Sequence, residues 1–394
     1  MKLPERFSNL PEYAFPRLRA LLDGIEPGGK PIAMSIGEPK HDFPDWVGAI
    51  IAEHAHEFGR YPPNDGGPEL LNAIAGWVGR RYQVHLQLDR QIMALNGTRE
   101  GLFNACIALC PEVASNGERP AVLMPNPFYQ VYAVAALTAG ADPIYVPATA
   151  ENGFLPDFAA LPEDTLARTE IVYLCSPANP QGVAASRAYW GNLLELGERY
   201  SFRIFADECY SEIYRDEPPV GALQVAESMG VSRERLLIFH SLSKRSSVPG
   251  LRSGFVAGGQ ESIAQIKRLR AYAGAPLPLP LQRAAERLWS NEAHVNASRE
   301  QYQEKYRIAD TIFAGLEGYA PPQAGFFLWL PVEDGEAATV KLWSETGVKV
   351  LPGAYLGRDV GDGNPGAPFI RVAMVASVDE VRRGLSKLRA CLYA

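Results

Sequence analysis

Residues 236–244 read Leu236-Leu237-Ile238-Phe239-His240-Ser241-Leu242-Ser243-Lys244: an apolar run of strand length, then a polar turn that ends in lysine. The same arrangement recurs upstream. Residues 121–124 lead into Pro125-Asn126-Pro127-Phe128-Tyr129, residues 171–175 into Ser176-Pro177-Ala178-Asn179-Pro180-Gln181-Gly182, and residues 203–206 into Asp207-Glu208-Cys209-Tyr210. Short apolar runs alternating with amphipathic stretches predict an α/β fold with a mainly parallel sheet. In such sheets, ligands bind beyond the carboxyl ends of the strands. The strand ends thus bring an aromatic ring, an amide, a carboxylate, a tyrosine, hydroxyls and a lysine to one edge. Packing alone does not require that assembly.

Outward from this block, a further strand is expected over 253–257 and helices over 68–82, 99–109, 187–200 and 261–272. The run Gly274-Ala275-Pro276-Leu277-Pro278-Leu279-Pro280 cannot be a helix interior, because each proline removes a backbone donor and clashes with the preceding turn. A long helical stretch follows over 282–316 with a break near Asn291, then a strand over 326–330, a helix over 337–345, a strand over 369–373 and a final helix. The expected organisation is an N-terminal arm over 1–44 that packs with the C-terminal part, a large body over 45–275 and a smaller α+β domain over 276–394. The arm is interrupted by Pro4, Pro11 and Pro16 and has no apolar signal core.

The bulk numbers agree with a large buried core: 394 residues, 47% hydrophobic and 21% charged. A net charge of -7 gives no general attraction to nucleic acid or anionic membrane. No stretch is long enough to span a bilayer. Five cysteines without a C-x-x-C make no disulfide framework, and Cys106 and Cys110 read as buried thiols on one helix. The six histidines are scattered, so no metal is expected, and a reducing cytoplasm fits.

Nine lysines stand against 29 arginines, so a lysine placed directly after an apolar strand and two serines is notable. Arg245 and Arg252 lie close to Lys244 in sequence, and nearby cations favour the neutral amine, which condenses with an aldehyde. Asp207 at a strand end suits a protonated pyridine nitrogen, and Tyr210 and Asn179 suit a phenolic oxygen on the same ring. Ser241, Ser243 and the guanidinium of Arg252 offer donors for a phosphate. Asn96-Gly97-Thr98-Arg99 precedes an apolar helical run, which points free N–H groups and the helix dipole at an anion. No G-x-x-x-x-G-K-[ST] loop or G-x-S-x-G elbow is present.

These residues resemble the fold-type I pyridoxal-phosphate enzymes, specifically the class I and II aminotransferases. The likeness runs from Ser35-Ile36-Gly37-Glu38-Pro39 to Phe369-Ile370-Arg371-Val372-Ala373. It implies a seven-stranded, mostly parallel sheet domain beside a smaller α+β domain. It further implies pyridoxal phosphate held as a Schiff base on Lys244, with Asp207 on the pyridine nitrogen, Asn179 and Tyr210 on the phenolic oxygen, and Tyr129 stacked on the ring ahead of Phe128. Thr98, Arg99, Ser241, Ser243 and Arg252 are implied at the phosphate, Arg371 and Gly37 at the substrate α-carboxylate. Tyr61 is implied at the phosphate of a neighbouring subunit, hence a homodimer with shared sites. Gln181 departs from the family's usual threonine.

Within the family, Ile36-Gly37-Glu38-Pro39-Lys40-His41, Asn126-Pro127-Phe128-Tyr129-Gln130 and Glu151-Asn152-Gly153-Phe154-Leu155-Pro156 look like N-succinyldiaminopimelate aminotransferases of lysine biosynthesis. These exchange an amino group with glutamate by a ping-pong route. Lys40, His41, Arg99 and Arg245 are candidate ligands for the distal anion. Competing readings are an aspartate or aromatic aminotransferase, a β-lyase on the same scaffold, and a pyridoxal-binding regulator. No basic helix-turn-helix extension accompanies the chain to support the last.

Overall fold

A computed structural model describes residues 5–8, 10–361 and 363–394. Residues 1–4, including Pro4 of the expected arm, lie outside the described residues. Seven strands form one sheet in the order Ile92–Leu95, Gly254–Gly258, Leu236–Ser241, Arg203–Asp207, Thr169–Cys175, Ala121–Asn126, Asp142–Pro147. Gly254–Gly258 runs antiparallel to both neighbours, and the remaining pairs are parallel. The central strands are buried along their whole length because helices cover both faces, which is why they read as unbroken apolar runs rather than alternating ones.

Register fixes where the polar turns begin. Cys175 pairs with Asp207, Asp207 with Phe239, and Ser241 with Gly254, so the carboxyl ends of the parallel strands finish at one edge. Helices Pro68–Tyr82 and Arg187–Tyr200 and the others expected in this half occur within one residue of their expected limits. Two strands carried weaker signals. Ile92–Leu95 has only four residues, and the edge strand Asp142–Pro147 contains Pro143 and Pro147, residues that an edge position tolerates.

One face of the sheet packs on a cluster with Trp77, Trp190 and Trp289, the other on a cluster with Cys106, Tyr132 and Tyr173. A third cluster surrounds the three-stranded antiparallel sheet Leu351–Pro352, Phe369–Ala373, Phe327–Pro331. The expected long helix is divided at Asn291 into Leu279–Ser290 and Ala293–Ile312. The first begins earlier than expected because Pro280 falls in its first turn, where the missing N–H costs nothing. The N-terminal helix Ala14–Leu21 buries Ala14 and Leu18 against Leu351 and Tyr355, and Ile32–Ala33 pairs with Val348–Lys349. Among the described residues no helix is long and apolar enough to cross a membrane.

Candidate functional site

Where the strand ends meet the three-stranded sheet lies a cavity of about 350 Å³. Thr98, Arg99, Tyr129, Asn179, Asp207, Tyr210, Ser241, Ser243, Lys244, Arg252, Gly37 and Arg371 all line it. Of the residues expected from sequence at the cofactor and the α-carboxylate, Tyr61 alone stands outside, its ring fully exposed.

Lys244 belongs to the four-residue helix Leu242–Arg245 that follows the Leu236–Ser241 strand. Its Nζ donates to the carbonyl of Gly37 at 2.5 Å. Burial, helped by Arg371 and Arg252 and opposed by Cys209 and Glu38, brings the amine down to about 8. The expected influence of Arg245 is therefore corrected. One residue on along the helical turn, Arg245 points away from Lys244, stacks on Trp77 and Trp289, and pairs with Glu292.

Asp207 is buried, and its Oδ2 accepts from the Tyr132 hydroxyl at 2.6 Å. Burial raises its carboxyl above the ordinary range, opposed by hydrogen bonds from Cys209 and Tyr132. Among the described residues no cation pairs with it in a salt bridge. Tyr132 was not singled out from the sequence. It lies one helical turn beyond Tyr129 in Gln130–Thr138 and stacks on Tyr173 with centroids 4.4 Å apart, a placement no local pattern reveals. Tyr129 and Phe128 both line the cavity; the Tyr129 hydroxyl accepts from Arg99 Nε at 3.0 Å, and Phe128 is buried with its ring against Tyr145.

The anion-favouring corner is built at Gly97 and the start of helix Thr98–Leu109. Gly97 has φ +86°, and a Cβ there would collide with Arg252 Nη2, so the guanidinium occupies the space that a side chain would need. Ser241 Oγ donates to Ser243 Oγ at 2.9 Å and accepts from the Ser243 N–H, capping the turn that carries Lys244. Thr98 Oγ1 lies 3.2 Å from Cys209 Sγ.

Arg371, from the Phe369–Ala373 strand, is buried and stacks on Phe327 at 4.3 Å. Its Nη1 donates to Asn179 Oδ1 at 3.0 Å and its Nη2 to the Ser35 carbonyl at 2.9 Å, while Nε has no partner. Burial pushes this guanidinium down to about 10. A buried cation with an unused donor on a cavity wall is suited to receive a carboxylate. Tyr210 packs against Phe326 and Phe327 on the same wall.

Of the four distal-anion candidates, Arg99 alone lines the cavity. His41 is buried against Ser298 and Lys305, Arg245 is buried with Glu292, and Lys40 is exposed away from the lining. Arg99 touches Tyr129 and Tyr13 but pairs with no carboxylate among the described residues. Gln181 leaves its turn intact, with the Gly182 N–H on the Ala178 carbonyl at 2.8 Å, and its own buried Nε2 lacks a partner. Among the described residues no group of three or more His, Cys, Asp or Glu side chains could hold a metal.

Known proteins agree with this arrangement. The family model "Aminotransferase class I and II" matches residues 30–388. An LL-diaminopimelate aminotransferase from Dehalococcoides mccartyi is 30% identical over 400 residues, covering 98% of each chain. The structure of an aminotransferase from Neisseria meningitidis superposes with a TM-score of 0.94 at 38% identity, covering 98% of this chain and 99% of that one. A probable N-succinyldiaminopimelate aminotransferase from Thermus thermophilus shares the fold at 24% identity, with a TM-score of 0.84 over 96% of this chain and 100% of that one. With its mostly parallel seven-stranded sheet and a family match over nearly its whole length, the chain belongs to the class I and II aminotransferases, fold-type I enzymes whose cofactor is pyridoxal phosphate.

Proposed function

We propose that the chain exchanges an amino group between N-succinyl-LL-2,6-diaminopimelate and 2-oxoglutarate in two half-reactions, a ping-pong exchange within lysine and diaminopimelate biosynthesis. The observation that carries this reading is a pair of cations on separate walls of one cavity. Arg371 stands against Ser35 and Asn179, and Arg99 stands at Tyr129 and Tyr13 without a carboxylate partner among the described residues. One suits the α-carboxylate and the other a distant carboxylate of the same substrate. A second reading, free LL-diaminopimelate, is favoured by Glu38. This carboxylate on the cavity lining, in no salt bridge among the described residues, suits a distal ammonium, and the Dehalococcoides relative carries that substrate in its name.

The residues fit the cofactor. The buried carboxylate of Asp207, without a salt-bridge cation, supports a role in keeping a proton on the pyridine nitrogen, and the Tyr132 hydroxyl holds it in place. Ser241, Ser243, Arg252 and the backbone at Thr98 and Arg99 form the phosphate cradle, which leaves the Arg99 side chain free for substrate. Tyr129 would cover the ring of the bound cofactor, and Asn179 and Tyr210 would serve its phenolic oxygen. Pyridoxal phosphate supplies an electron sink for charge developing at the substrate α-carbon. Arg371 orients the α-carboxylate, with Gly37 beside it. Lys244 Nζ removes the α-proton in one half-reaction and returns one in the other, a task for which an amine near 8 is close to the working range.

The reading extends to a cytoplasmic homodimer in which the exposed ring of Tyr61 reaches the partner's phosphate cradle, and to domain limits at residues 44 and 275. Sedimentation of the holoenzyme as a monomer would remove the shared site. The substrate is tested by single-turnover absorbance with N-succinyl-LL-diaminopimelate, LL-diaminopimelate, glutamate, aspartate, kynurenine and cystathionine. The fastest bleaching is expected with the succinylated substrate, with glutamate also reactive. Fastest bleaching by LL-diaminopimelate would select the second reading, and fastest bleaching by aspartate, kynurenine or cystathionine would reject both.

A further inference from the structure

Both the carboxylate clamp and the reactive amine lean on one short piece of chain. The Ser35 carbonyl accepts from Arg371 Nη2 at 2.9 Å, and the Gly37 carbonyl accepts from Lys244 Nζ at 2.5 Å. Upstream, this strap is tied to the three-stranded sheet: the Ala373 N–H donates to the Met34 carbonyl at 2.7 Å. Gly37 itself presses on Phe327, where a Cβ would come within 2.5 Å of Cζ. Downstream, among the described residues, the remaining hydrogen bonds of 38–41 to other segments come from the His41 side chain.

His41 is 8% exposed and is held twice. Its Nδ1 lies 2.9 Å from Ser298 Oγ and its Nε2 lies 2.6 Å from Lys305 Nζ, both on helix Ala293–Ile312. Lys305 is 0% exposed. Among the described residues, His41 from the strap lies against it, as does Tyr302 from its own helix, whose ring centroid is 4.7 Å from Nζ. No carboxylate pairs with it among the described residues. An amine with no counter-ion in a dry site is costly as a charge and acceptable as a neutral hydrogen-bonding group. Burial accordingly brings Lys305 down to about 7, and burial together with Lys305 brings His41 down to about 4.

We infer that the His41–Lys305 bond anchors the strap over residues 35–41, making Lys305 a positioning residue for the carboxylate clamp although it touches neither substrate nor cofactor. The inference rests on the α-carboxylate role proposed above for Arg371. A neutral amine can donate to His41 Nε2 or accept from it, whereas a charged one can only donate. A charged Lys305 also has no partner to offset its burial, and that charge is relieved by releasing the strap and admitting water. Release withdraws the Ser35 carbonyl from Arg371, so substrate binding weakens while cofactor remains.

The test compares wild-type holoenzyme with K305M and R371K in transamination from glutamate to a keto acid. K305M is expected to raise the KM for glutamate about tenfold with kcat within about twofold and the visible cofactor band retained. In the wild type the same KM rises as pH falls through about 7, and in K305M that limb disappears. Unchanged KM in K305M together with a raised KM in R371K overturns the anchor and leaves the clamp. Unchanged KM in both overturns the clamp reading itself. Should K305M not fold, hydrogen–deuterium exchange of the 35–41 segment in wild-type holoenzyme, corrected for intrinsic rates, must increase between about pH 8.5 and about pH 6. No increase overturns the anchor.

Discussion

Lys244 and Lys305 are two amines held largely away from water, and burial lowers both, to about 8 and about 7. They differ in what lies in front of the nitrogen. Lys244 stands at the end of a buried strand and opens on a cavity of about 350 Å³ with Arg252, Arg371, Ser241 and Ser243 on its walls. Lys305 sits within a helix against an imidazole and a phenol ring, with no exposed surface. A lowered pKa raises the neutral fraction of an amine near physiological pH, but only room for an aldehyde and an anion cradle suit it to hold a cofactor. The same physics without the room produces an internal hydrogen-bonding group.

The sharpest way to break the comparison is to exchange the consequences of losing each amine. Lys244→Ala removes the proposed proton carrier and is expected to lower kcat by at least about 10⁴-fold while pyridoxal phosphate still binds, measured by steady-state turnover and cofactor absorbance. Turnover within tenfold of wild type would show that Lys244 is not the reactive amine. Asp207→Asn comes next. An amide cannot keep a proton on a pyridine nitrogen as a carboxylate does, so kcat should fall on the order of 10²- to 10³-fold with the fold preserved. Equal activity in the variant would mean that the buried carboxylate faces something other than the ring.

The contrast also explains what could be read from the sequence. Lys244, Asp207 and Asn179 were legible because each directly follows an apolar strand, and parallel register carries strand ends to one edge. Arg245, one residue past Lys244, misled because a helical turn sends consecutive side chains in different directions. The pairing of His41 with Lys305 spans 264 residues and has no local signature. The same holds for Tyr132, whose hydroxyl meets Asp207 across 75 residues. The strand Asp142–Pro147 was hidden by its two prolines, which weaken a strand reading and are tolerated at the sheet edge it occupies. Local pattern therefore located the groups that strands deliver, and missed those that helices and loops bring from afar.

Tyr132→Phe probes that second kind of contact at the reactive end. The variant keeps the ring stacked on Tyr173 and deletes one hydrogen bond to a buried carboxylate, so catalysis should drop by about tenfold, or ~1.4 kcal/mol, without loss of the fold. Unchanged kcat with unchanged cofactor affinity would mean that Asp207 is held well enough by Cys209 alone.

The smallest effect tests the dry amine through stability. Lys305 has a folded pKa of about 7 against an ordinary lysine value of 10.5, so its charged form is disfavoured in the folded chain. Between these values the unfolded chain binds a proton that the folded chain does not, and stability therefore rises with pH across the window. Below about 7 both states carry the charge, and the full penalty of burying it remains. For this one group the gain from about pH 7 to about pH 8 is about 1 kcal/mol. K305M has no proton to lose there, so its urea unfolding free energy should climb by about 1 kcal/mol less than the wild type over that interval. The variant should also be more stable than wild type at about pH 6.5, where the buried charge has gone and only the hydrogen bond to His41 has been lost. Parallel curves for the two proteins would show that Lys305 keeps its charge in the folded state and finds a counter-ion or water there, and the distinction between the two lysines would then be one of access alone.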